Sequence, residues 1–132
     1  MLNGLDRLKA VLGHEPSFHD TEVLGISLSR SYSLLEKKTL LQLTLKYFEP
    51  SIEYSDEIHY EFKQKNCFTI KFDFEDVSEV DIDGFNFQNV IDDILVTKLD
   101  SGMVQVEIVE IYGVGARFLC GSASVSSIEP IL

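Results

Sequence analysis

The sequence predicts an α+β domain: a largely antiparallel β-sheet of six to eight strands, with an N-terminal helix and one short internal helix. Three observations lead there. Leu2, Leu5, Leu8, Val11 and Leu12 recur at spacings of three and four, the stripe of an amphipathic helix. Most of the remaining chain alternates apolar and polar residues with period two, the signature of half-buried strands. Between two such runs stands Asp100-Ser101-Gly102, the composition of a tight hairpin turn. At 132 residues the chain has the length of one domain, 1–132. Folding a chain of this size buries roughly 68% of the surface it exposes when unfolded, so neither disulfides nor a metal is needed for stability.

Taken in order, Asn3 or Gly4 can start the first helix, and Gly13 suits the left-handed position that ends it. The first strand carries Leu24, Ile26 and Leu28 on one face, and the second carries Leu41, Leu43, Leu45 and Tyr47. Residues 29–38 join them as a hairpin-like pair, and Glu49-Pro50 is expected to stop the second, because proline cannot donate to a ladder. Residues 58–62 suit a short strand, and Gln64-Lys65-Asn66 a polar turn into the strand of Phe68, Ile70, Phe72 and Phe74. Val80-Asp81-Ile82 leads to a turn at Asp83-Gly84. Asn86 is then placed to cap one or two helical turns that bury Phe87, Val90 and Ile91. Residues 94–98 and 104–111 form the pair around the tight turn. Gly113-Val114-Gly115 breaks the pattern, Ala116, Phe118 and Cys120 resume it, and residues 122–128 make a last edge strand before Pro130.

Charge narrows the function. Lys and Arg number 11 and Asp and Glu 22, a formal net charge of −11. Residues 1–50 hold six bases and six acids, whereas residues 51–132 hold five bases and sixteen acids, so the surplus lies in the second part. Such a field repels phosphates and anionic headgroups, which argues against nucleic acid and membrane as partners, and it speeds encounter with a basic protein. No stretch approaches about 18 uninterrupted apolar residues, so no membrane span is expected. Two cysteines, Cys67 and Cys120, make no disulfide framework. Met1-Leu2-Asn3-Gly4-Leu5-Asp6 has neither a basic region nor an apolar run, so a cytoplasmic location is expected.

Candidate sites are few. His14-Glu15-Pro16-Ser17-Phe18-His19-Asp20-Thr21-Glu22 gathers two imidazoles and several carboxylates, which could hold a divalent metal or form an acid–base pair, the basis of a small metal-dependent enzyme. Its spacing matches no metal signature. The competing reading is structural: Phe18 packs into the core, His19 orients the turn and Asp20 accepts from backbone amides at the strand entry. No serine sits in a nucleophile elbow, both cysteines lie in apolar strand context, and His59 is isolated from a catalytic partner set. Gly113-Val114-Gly115 lacks the third glycine and helix of a dinucleotide site, so no cofactor is expected. The remaining feature is acidic: Asp73, Glu75, Asp76, Glu79, Asp81 and Asp83 form a run with no base, and no calcium-loop pattern organises them. That run reads either as a solvated face or as a docking surface for a basic partner. An edge strand at residues 122–128 would instead serve a self-assembling adaptor.

Three blocks, taken in order, resemble a known family. They are Pro16-Ser17-Phe18-His19-Asp20 with Glu22-Val23, then Gly84-Phe85-Asn86-Phe87-Gln88-Asn89-Val90-Ile91, then Gly113, Gly115, Phe118, Cys120 and Pro130. Together they resemble the immunity protein 50 family of bacterial polymorphic-toxin systems, from about Leu12 to Pro130. The resemblance implies a single immunity-protein-like domain, not an enzyme, that binds and neutralises a cognate toxin domain. It brings no catalytic residues. A basic nuclease would suit the acidic face, with Asp92, Asp93, Asp56 and Glu57 adding charge, and with Tyr54, Tyr60 or Tyr112 supplying a desolvated centre. Both a monomer and a homodimer fit the sequence.

Overall fold

The computed structural model describes residues 2–131; Met1 and Leu132, the ends of the expected 1–132 span, lie outside the described residues. The molecule is mostly β: nine strands form one sheet, and among the described residues there is one helix. The elements are β1 (Leu2–Asn3), α1 (Leu5–Leu12), β2 (Thr21–Arg30), β3 (Thr39–Tyr54), β4 (Tyr60–Glu75), β5 (Ser78–Asp83), β6 (Val90–Lys98), β7 (Val104–Tyr112), β8 (Gly115–Cys120) and β9 (Ser122–Pro130). Their order across the sheet is β1-β9-β4-β3-β2-β6-β7-β8-β5, antiparallel throughout except for the β1–β9 pair.

Between β2 and β6 the sheet narrows to two registered pairs, Thr21 with Ile91 and Glu22 with Val90. Two short corners carry the chain from one half to the other. Asp76 and Val77 link β4 to β5, and Gly121 links β8 to β9, its N–H donating to Glu75 O at 2.8 Å. The halves therefore face one another. Phe74 of β4 meets Phe118 of β8 edge to face, ring centroids 5.0 Å apart, and both are excluded from solvent. Leu41, Leu43, Leu45, Tyr47, Ile70 and Phe72 fill the same core as expected, and Ala116 and Cys120 join them from β8. Helix α1 ends at Gly13 in the left-handed conformation, φ 83°, and buries Leu8 and Leu12. Arg7 Nη2 donates to Val125 O at 2.9 Å, so the helix also satisfies a carbonyl of β9.

Several expectations are corrected. Among the described residues there are nine strands rather than six to eight, and the expected second helix is not formed. Residues 84–89 are an irregular loop, and Val90 already belongs to β6. The asparagines explain this. Asn86 Oδ1 accepts from Gln88 N, a local turn that competes with helical bonding, and Gly84 sits at φ 80°. Pro50 does not stop β3, which runs on to Tyr54, because beyond Lys46 the strand has β4 as its one registered partner and proline is tolerated at such an edge. Gln64-Lys65-Asn66 is not a turn but part of the continuous β4: Gln64 and Lys65 pair with Pro50 and Glu49, and the register shifts at Asn66, φ 50°; the reversal lies at residues 55–59. A bulge between Val23 and Gly25 places Val23 in the core and leaves Leu24 49% exposed, while Leu28, on the core face, reaches past its end and is 52% exposed. Finally, β9 is only partly an edge: β4 pairs along its length, β1 covers Ala123 and Ser124 on the other side, and beyond Ser124 that side has no registered strand among the described residues.

Candidate functional site

The acidic run divides between the two halves of the sheet. Asp73, on the outer face of β4, accepts from Gln42 Nε2 at 3.0 Å and from Ser126 Oγ at 3.1 Å. Glu75, next along that strand, accepts from Ser122 Oγ at 3.4 Å. Asp76 turns the corner at φ 56°, and Glu79 occupies the bulge of β5 at φ 51°. Asp81 and Asp83 lie on β5, opposite Arg117 and Gly115 of β8.

Around that last pair the structure adds residues that no local pattern could connect. Glu107 of β7 stands opposite Arg117, 3.8 Å from Nη2, and the Glu110 carboxylate lies over Gly115, where any Cβ would collide with it. Asp81, Asp83, Glu107 and Glu110 thus line a groove of about 350 Å3 with Arg117 as its one base. Glu107, Glu110 and Arg117 escaped the sequence reading because their link to Asp81 is a strand register, formed across more than twenty residues of chain.

The groove continues at Gly84 and Gly113 into the loop 84–89. One buried amide holds that loop. Asn89, 2% exposed, accepts on Oδ1 from Asn86 N at 2.9 Å and from Val114 N at 3.1 Å, and its Nδ2 donates to Asn86 O at 2.8 Å. Gly113, at φ 84°, passes so close that a Cβ there would lie 2.7 Å from Asn89 Oδ1. The loop built this way turns Phe85 and Phe87 outward; Phe87, expected in the core, is fully exposed.

The segment from His14 to Glu22 is ordered around other partners. Phe18 packs edge to face on Tyr47 and Phe72, with ring centroids 6.3 and 5.7 Å away. His19 Nδ1 donates to Asp92 Oδ1 at 2.8 Å, and its Nε2 lies 3.6 Å from Asp20. That hydrogen bond first, and the Asp20 charge second, hold the His19 pKa above its ordinary 6.5. Asp20 sits at φ 65°, its N–H bonded to Ile91 O, while Glu22 is paired into β2. His14 turns elsewhere, to Glu49, at 2.7 Å. Both Glu49 oxygens are taken, Oε1 also by Tyr47 Oη at 3.1 Å and Oε2 by Asn66 Nδ2 at 2.8 Å. Burial, and then the Glu49 bond, push the Tyr47 phenol up to about 12. These groups border a cleft of about 540 Å3 that Tyr112 closes on one side. The two imidazoles are therefore committed to different carboxylates, and among the described residues no three His, Cys, Asp or Glu side chains converge as a metal site.

Asp56 and Glu57 stand apart from both regions, at the tip of the β3–β4 hairpin. Asp56 accepts from the backbone of Ile58 and His59 and from the His59 ring, which hold its carboxyl below the usual range. No helix among the described residues is long and apolar enough to cross a membrane. A family model described as Immunity protein 50 matches residues 4–131, nearly the whole chain. No curated protein and no solved structure matches it.

Proposed function

The chain belongs to the immunity protein 50 family, and we propose that it acts in the cytoplasm as a single binding domain that neutralises a cognate bacterial toxin domain rather than as an enzyme. The observation that carries this reading is the family match over residues 4–131. Charge supports the manner of binding. The groove of Asp81, Asp83, Glu107 and Glu110 suits Lys and Arg groups on a basic toxin, such as a nuclease built to hold phosphates, and it lies beside exposed Phe85 and Phe87. Asp73 and Glu75, on the other half, extend the field that steers the partner in without sharing the groove.

Calorimetry against the toxin domain encoded immediately upstream of its gene, at low and high salt, tests the proposal. Tight one-to-one binding is expected, and stopped-flow mixing of the same pair should show an association rate that falls steeply as salt screens the carboxylates. Absence of binding to a folded toxin overturns the function, whereas binding indifferent to salt overturns the acidic docking surface alone. Asp81→Asn with Asp83→Asn should slow association and leave the fold intact, since neither carboxylate supports the core.

A further inference from the structure

Beyond Lys46 on one side and Phe68 on the other, β3 and β4 outrun the sheet. Their registers with β2 and β9 end there, and residues 49–65 pair with each other alone among the described residues. This arm is amphipathic. Ile52 stands opposite Phe62 and Tyr54 opposite Tyr60, which puts all four on one face; they are 49%, 74%, 70% and 55% exposed. Ser51, Glu53, Glu61 and Lys63 share the other face, where Lys63 Nζ bridges Glu53 at 2.9 Å and Glu61 at 3.7 Å. Tyr60 touches both aromatic neighbours, with ring centroids 6.1 Å from Tyr54 and 5.5 Å from Phe62.

At about 200 Å2 per aromatic side chain, the three rings alone present roughly 400 Å2 of apolar surface. That is the size of the largest apolar patch on a typical monomer, about 300–600 Å2, which often carries function. The arm is also prepared in advance: continuous register from Glu49 with Lys65 to Tyr54 with Tyr60 holds the strand pair, and the Asp56 bonds to Ile58 and His59 fix the tip. Little ordering remains to be done on binding.

Charge identifies the occupant. Behind the rings, the other face and the tip carry Glu49, Glu53, Glu61, Asp56 and Glu57 against Lys63 and Lys65, on a chain of net charge −11. Two copies would meet as like charges. A partner with an apolar depression rimmed by Lys or Arg fits both features. We infer that the aromatic face of the β3–β4 arm, centred on Tyr60, is the apolar anchor of a basic protein partner. Resting on the proposed immunity function, that partner is the toxin domain, and the carboxylates elsewhere serve mainly to steer it.

The test is calorimetry of the wild-type chain and of Tyr54→Ser/Tyr60→Ser/Phe62→Ser against the same toxin domain, with Tyr60→Ser alone as a milder second variant. All three positions are exposed, so the unfolding midpoint should hold. Affinity is expected to fall about 30-fold or more for Tyr60→Ser, the loss of one hot-spot side chain, and further for the triple variant. Wild-type binding retained within about threefold by both variants overturns the anchor and leaves toxin binding standing. Failure of the wild type to bind overturns both. Light scattering that shows a wild-type dimer lost in Tyr60→Ser assigns the face to a second copy and also overturns the inference.

Discussion

Asn89→Ala should be among the most damaging single substitutions in this protein, although it removes a small polar side chain next to an exposed loop. The side chain makes three hydrogen bonds, at 2.9, 3.1 and 2.8 Å, and is 2% exposed. Truncation leaves Val114 N–H without a partner in a residue at 0% exposure, where water cannot replace the lost acceptor. One orphaned buried donor costs about 1–3 kcal/mol, and the two lost bonds to the more accessible Asn86 about 0.5–1.5 kcal/mol each. The sum is about 4 kcal/mol, a large share of the roughly 5–15 kcal/mol that holds a domain folded. Equilibrium urea unfolding reads this directly. At a slope of about 2 kcal/mol per M, the midpoint should drop by about 2 M with the slope unchanged. Asn89→Asp keeps the acceptors but aims a carboxylate at Asn86 O, so its folded pKa should rise. Such a group is better tolerated protonated, and its stability should recover as pH falls. Phe87→Ala, in the same loop but fully exposed, should change stability by less than about 0.5 kcal/mol. A midpoint shift under about 0.3 M for Asn89→Ala would show that the loop is not held by this amide.

Phe118→Ala removes the ring that closes the two halves of the sheet on each other, 5.0 Å from Phe74 and 1% exposed; a loss of about 3–5 kcal/mol in the same unfolding measurement is expected, and a loss below about 1 kcal/mol would contradict the packing described. The His19 imidazole, titrated by NMR, should have its midpoint above 6.5 in the wild type and move back toward 6.5 in Asp92→Asn. Because its folded pKa is raised, its contribution to stability is complete below about 6.5 and is lost as pH rises through the folded value; a wild-type midpoint at or below 6.5 refutes the Asp92 pairing.

What the chain determines by itself is the alternation of its longest strand runs and the positions where one residue must take a positive φ. Leu41, Leu43, Leu45 and Tyr47, and then Ile70, Phe72 and Phe74, alternate with polar residues, and period two is a local property that survives into the core unchanged. Gly13 ends α1, and Gly102 turns the β6–β7 hairpin at φ 88°, because a positive φ is a demand that one residue meets alone. Even the arm has a local trace: Ile52 and Tyr54, then Tyr60 and Phe62, alternate with polar residues on both sides of a turn.

Tertiary structure decided the rest. The family resemblance drawn from residues 16–23, 84–91 and 113–130 holds, yet those blocks carry no rule for their own shape. Residues 86–91 look like a capped helix until Val114 N–H, from 25 residues away, competes for the amide of Asn89. Pro50 looks like a strand end until the sheet leaves it at an edge. Asp81 and Asp83 look like part of one acidic run with Asp73 until the corner at Asp76 sends them to the other half, beside Glu107 and Glu110. Each outcome turns on which distant strand is the neighbour. Alternation along a strand records which side is buried but contains nothing about the partner's identity, which is set by the packing of the whole core.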